Sequence, residues 1–118
     1  MAGALMRLSE IVEKLGLRVK GASERLDRDV TRGYVSDLLS DVLSHAEEGD
    51  LWITLQTHQN IVAVAAIKSL AGIILVNGRE PESETLQKAK EEGIPIMISE
   101  LPAFEVVGRL FEMGLAGS

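Results

Sequence analysis

The sequence predicts an α/β fold: a three-layer α/β/α domain with a mostly parallel central sheet. Three observations carry that expectation. Residues 51–55 and 72–76 are short runs of nearly continuous apolar character, as parallel strands covered on both faces require. Between them, residues 61–70 have the length and composition of a buried helix. Elsewhere, stretches of helical periodicity alternate with short strands, the pattern of a sheet with right-handed crossovers and helices on both faces.

The elements follow in order. Leu5, Leu8, Ile11, Val12 and Leu15 fall at helical spacing, and Gly16 is placed to end that helix in the left-handed conformation. Residues 17–20 alternate and read as a strand, residues 21–28 as a polar connector, and residues 29–34 as a second strand in which Gly33 permits a bend or a close backbone approach. Ser36 is placed to cap the next helix. Asp37 and Asp41 lie in its early turns, where the dipole favours acids, Val35, Leu38, Leu39, Val42, Leu43 and Ala46 supply its apolar face, and Gly49 ends it. After the central unit, Asn77 and Gly78 form a turn, residues 83–92 a helix closed by Gly93, and residues 94–98 a strand that Pro95 confines to an edge or to its own start. Residues 103–113 form a last helix with Phe104, Val107, Leu110 and Phe111 inward. Residues 1–4 and 114–118 are expected to fray, and 1–118 reads as a single domain.

Composition narrows the function. With no cysteine, the chain has no disulfide, no thiolate nucleophile and no Cys-ligated metal, which fits a reducing cytoplasm. Its formal net charge is −6, its basic residues are scattered, and only Tyr34, Trp52, Phe104 and Phe111 are aromatic, so nucleic-acid binding has neither its electrostatic drive nor its stacking platform. The apolar run 61–76 is too short to span a bilayer and is broken by Lys68, Ser69 and Gly72, so no membrane partner is expected. No G-x-x-x-x-G-K-[ST] or G-x-G-x-x-G run occurs, and His45 and His58, the only histidines, are not spaced for a shared metal, so neither a cofactor nor a metal is expected.

The candidate site is the turn between the first central strand and its helix. Thr54, Gln56, Thr57, His58, Gln59 and Asn60 crowd polar side chains at the carboxyl end of a strand, where the following helix presents free N–H groups and the positive end of its dipole. Gly33 with Asp37, and Asn77 with Gly78, would join this turn if their strand ends converge, giving a surface for a small anionic ligand. The same residues have a plainer use: Thr57 or Asn60 as helix cap, Asp37 as a helix N-terminal acid, Asn77 and Gly78 as an ordinary turn. The apolar helix 61–70 is either packed on all sides within the domain or, through its small Ala and Val side chains, a subunit contact.

With the stretches GYVSDLLSDVL (33–43), GDLWITLQTHQNIVAVA (49–65) and AGIILVNGREP (71–81), the chain resembles the DRTGG-domain proteins, similar to the N-terminal domain of HPr kinase/phosphorylase, over nearly its whole length. The resemblance implies a layered α/β/α regulatory domain, often self-associating, and no catalytic residues; a serine-kinase activity would belong to a P-loop half that is absent from this sequence. The expected function is a non-catalytic regulatory or ligand-binding module sensing a nucleotide or phosphorylated metabolite, acting as a homodimer. Two other readings stand beside it: a protein-interaction subunit of a separately encoded kinase or metabolic enzyme, and an enzyme using His58 as acid or base with Asp37 as its partner.

Overall fold

A computed structural model describes residues 5–117, and the expected fraying of residues 1–4 lies outside the described residues. Four parallel strands, β4 (Arg32–Val35), β5 (Asp50–Thr54), β6 (Gly72–Leu75) and β7 (Ile96–Ile98), form one sheet with β2 (Arg18–Gly21), which runs antiparallel against β7. The strand order is β2-β7-β6-β5-β4. Both faces are covered. On one, α1 (Leu8–Leu15) and α5 (Ala103–Glu112) bury Leu8, Ile11, Val106 and Leu110 against Leu51, Ile53 and Ile74. On the other, α2 (Leu39–His45), α3 (Asn60–Lys68) and α4 (Ser83–Glu92) bury Val42, Ile61, Val62, Ala65 and Ala89 against Trp52, Ile73, Leu75 and Ile96. Alternate residues of one strand therefore feed two separate cores, which is why β5 and β6 read as unbroken apolar runs.

The central unit has the expected layout, with Leu51–Ile53 and Ile73–Leu75 fully buried. Pro95 precedes β7, so its missing N–H removes no ladder bond, while its carbonyl accepts from Ile73 N–H at 2.9 Å. At the same, amino end of these parallel strands the half-buried Arg28 guanidinium donates to Ala71 O at 3.2 Å. Burial, with Arg25 nearby, lowers its pKa from the usual arginine value.

The structure corrects the sequence reading in several places. Of the apolar face expected for the helix after Ser36, Val42 and Ala46 are buried, whereas Val35, Leu38 and Leu43 are exposed. The helix expected over 5–15 begins at Leu8, because Met6–Arg7 forms β1, paired antiparallel with β3 (Asp29–Val30) in a separate two-stranded sheet. The single strand expected over 29–34 is accordingly two: β3 turns away from the main sheet, and β4 resumes in it. Ser36 does not cap α2, which starts at Leu39. Its Oγ instead accepts Leu38 N–H at 3.1 Å, and its own N–H continues the ladder to Ile53 O of β5 at 3.3 Å. In the tail after α5, whose last residue lies outside the described residues, Leu115 is buried, its N–H reaches Leu110 O at 3.0 Å, and Ala116 O accepts Gly33 N–H at 2.9 Å, so these residues pack against the sheet. Finally, α5 buries Val106 and Leu110 but not its other apolar residues, since Phe104 is 86% and Phe111 72% exposed.

Candidate functional site

Asp37 lies in the loop leaving β4, and its carboxylate is the hub of the polar end of the sheet. Oδ1 accepts Thr54 Oγ1–H at 2.8 Å and Leu55 N–H at 2.7 Å. The Asp37 carbonyl accepts Gln56 Nε2–H at 2.8 Å, and Thr54 Oγ1 accepts Gln56 N–H at 3.2 Å. The loop is held from below by buried Trp52, whose Nε1–H donates to Ser36 O at 2.8 Å. Asp37 is therefore not a helix N-terminal acid. It closes the end of β5, using the hydroxyl and N–H that an incoming anion would otherwise take.

Thr57 and His58 are likewise engaged within the fold. Thr57 O accepts Thr85 Oγ1–H at 2.6 Å and Glu82 N–H at 3.2 Å, bolting the β5–α3 turn to the start of α4. In its neutral form exposed His58 accepts Asn60 N–H on Nδ1 at 3.1 Å, with the ring proton on Nε2, and His58 O accepts Ile61 N–H at 3.1 Å. Neither Thr57 nor Asn60 caps α3 with its side chain: Asn60 is the first helical residue, and the imidazole does the capping. Asp37 and His58 share no hydrogen bond among the described residues. His58 instead lies close enough to Glu84 to help hold that carboxyl below its usual range, behind a larger effect of the Glu84 backbone N–H and the Ser83 hydroxyl.

The remaining expected residues lie apart. Asn77 and Gly78 both have positive φ, 58° and 65°, in a turn closed by Arg79 N–H to Val76 O. Their own N–H groups go to Leu101 O at 2.9 Å and Ser99 O at 2.8 Å, which ties the turn to the end of β7 and not to the Asp37 cluster. Beside it, Arg18 bridges Glu80 (3.1 Å) and Glu100 (2.9 Å). Gly33 sits in the middle of β4, facing Leu115 and Ile53, in an apolar groove of about 450 Å³ between β4 and α5. Three of the expected residues, Asp37, Thr54 and Gln56, are thus brought into one hydrogen-bonded group, with Thr57, His58 and Asn60 on the adjoining turn.

Sequence reasoning missed the group behind Asp37. Tyr34 Oη–H donates to Asp41 Oδ2 at 2.7 Å, and Asp41 Oδ1 lies 3.1 Å from His45 Nδ1. The Tyr34 bond is the main cause holding the Asp41 carboxyl below its usual range, with Ser36 and His45 adding to it. The same bond pushes the Tyr34 phenol up. The i,i+4 spacing of Asp41 and His45 was the available signal. Buried Thr85, reaching across to Thr57, gave none, because its partner is a backbone carbonyl on another element.

Fold and site together define a layered α/β domain whose strand ends are closed by their own side chains. The chain belongs to the DRTGG-domain family, which matches it over residues 10–113. Among solved structures it is similar to the CBS and DRTGG domains of the regulatory region of a Clostridium perfringens pyrophosphatase, complexed with its activator diadenosine tetraphosphate. That match has a TM-score of 0.71 and 20% identity, and it covers 92% of this chain and 47% of that one. This chain thus spans about half of the neighbour, and the likeness is one of fold. Comparison with curated proteins gives no match. No helix among the described residues is long and apolar enough to cross a membrane.

Proposed function

We propose that this chain is a non-catalytic regulatory module of the cytoplasm that binds a small anionic ligand, a nucleotide or phosphorylated metabolite, and acts as a homodimer. The observation that carries the reading is its family membership together with its likeness to a regulatory region complexed with a nucleotide activator. The residues that would receive a ligand are those around the β5–α3 turn. Asp37 Oδ2, free of hydrogen bonds among the described residues, suits donors such as ribose hydroxyls, while His58 Nε2–H and the exposed Asn60 side chain suit phosphate oxygens. Gly33, Asn77 and Gly78, which lie apart from that surface, are given no ligand contact in this reading. A thermal-shift screen with diadenosine tetraphosphate, mononucleotides, sugar phosphates and acyl phosphates, repeated on Thr54→Ala/His58→Ala, tests it: a shift in the native chain that the variant loses is the expected result.

A second reading, an interaction subunit acting on a separately encoded enzyme, is favoured by a different observation. Most donors and acceptors of the polar end are satisfied within the chain, whereas the face of α5 carries exposed phenylalanines. Absence of any thermal shift, with recovery of one stoichiometric partner enzyme on the immobilised chain, decides for it.

A further inference from the structure

Helix α5 ends in a way that sends the chain back to the edge of the sheet. Leu115 N–H bonds Leu110 O at 3.0 Å and Gly114 N–H bonds Phe111 O at 3.0 Å, the paired bonds of a Schellman motif. Gly114 makes the turn at φ +104°, a conformation strained for any L side chain. Leu115 is thereby buried in the apolar groove between β4 and α5 that Gly33, Ile53 and Leu110 also line. Beyond it the backbone runs parallel to β4: Gly33 and Gly117 form a bridge, and Ala116 O accepts Gly33 N–H at 2.9 Å.

β4 is an edge strand, and alternate residues of an edge strand turn their N–H and C=O away from the sheet. Ser36 N–H bonds Ile53 O of β5, whereas Gly33 N–H faces outward to Ala116, so the outward residues of β4 are Gly33 and Val35. If two copies met edge to edge about a two-fold axis at Tyr34, each Gly33 would stand opposite the other copy's Val35. Both outward residues of each copy would then exchange backbone bonds with the other. The strand itself does little to prevent this: β4 has no proline and no bulge against β5, and Val35 presents an apolar side chain that is 47% exposed. With Gly33 bonded to the tail, only one of the two outward residues is left.

We propose that residues 115–117 are an autoinhibitory strap, which occupies the outward edge of β4 and keeps it from adding the β4 strand of a second copy. Leu115 in the groove is the anchor, and Ala116 O is the blocking group. The inference goes beyond the proposed function and is independent of it, since a homodimer formed through any other surface leaves β4 strapped.

Amide hydrogen exchange and sedimentation velocity on the full chain test the proposal. In the native chain Gly33 N–H should exchange about tenfold or more slowly than Val35 N–H on the same edge. Deletion of residues 116–118, which keeps Leu115 in the groove, should produce a species of at least twice the native mass at submillimolar concentration. Leu115→Asp should do the same. In that species Val35 N–H should become protected. Adding Val35→Pro, which removes the remaining outward N–H and no bond to β5, should return the native mass, whereas a nonspecific aggregate would persist. Equal exchange of Gly33 and Val35 in the native chain overturns the strap. Native mass in the deletion variant, or a larger species that Val35→Pro leaves unchanged, overturns its inhibitory role.

Discussion

The hydroxyl of Thr54 donates to Oδ1 of Asp37 across 2.8 Å, joining the last residue of one parallel strand to the loop that leaves its neighbour. The same oxygen takes Leu55 N–H, so one carboxylate finishes the carboxyl end of β5. Asp37→Ala leaves the Leu55 N–H and a buried hydroxyl short of an acceptor, and a loss of about 1–2 kcal/mol is expected by urea denaturation. Asp37→Asn, which retains an acceptor oxygen, should recover most of it. Equal stability of all three would remove the structural role given to Asp37.

Trp52 is the chain's only tryptophan and is fully buried, its Nε1–H on Ser36 O. Its fluorescence therefore reports unfolding directly. Trp52→Phe removes both the hydrogen bond and ring volume from the core shared by α2, α3 and α4, and should lower stability by about 2–3 kcal/mol.

Tyr34 and Asp41 give stability a pH dependence at both extremes. The Asp41 carboxyl is held below its usual range in the fold, so its contribution is complete above the unfolded value of about 4 and fades as pH falls through the lower folded value. The Tyr34 phenol is pushed up, so its contribution is complete below the unfolded value of about 10 and fades as pH rises through the folded one. Tyr34→Phe should flatten both limbs in chemical denaturation followed across pH. A native-like profile in the variant would contradict the assignment.

At Gly78, φ is +65° and a Cβ would stand 2.6 Å from Glu100 Oε1. That carboxylate is a flexible end that can swing aside, so the lasting penalty of Gly78→Ala is the left-handed backbone, about 1 kcal/mol. The displaced Glu100 should also loosen its contact with Arg18. Gly78→Asn, a residue that tolerates this conformation, should cost clearly less than Gly78→Ala; the reverse order would place the constraint in side-chain packing.

The central βαβ unit was legible because strands buried on both faces admit only apolar residues, and that constraint writes itself into adjacent positions. β1, and the break that parts β3 from β4, were not, since strands of two residues carry no period. Leu5 and Leu8 also fit a helix equally well. The inward orientation expected for Phe104 and Phe111 failed because hydrophobicity was taken as burial, whereas α5 has apolar residues on both sides and the sheet can cover only one. The polar turn was found from sequence, but its chemistry was not: whether Thr54, Gln56 and Thr57 face a ligand or one another depends on Asp37 and Thr85, which approach from other elements.

The most direct test of the regulatory reading is thermal unfolding of the purified chain with and without diadenosine tetraphosphate, followed by Trp52 fluorescence. A ligand present at 100 times its dissociation constant adds about 2.7 kcal/mol to the folded state, a rise of several degrees in Tm for a domain of this size. The account predicts such a rise for this or another nucleotide or phosphorylated metabolite of the screen, and its loss in Thr54→Ala/His58→Ala. An unchanged Tm with every compound would contradict it and leave the chain as a protein-interaction subunit.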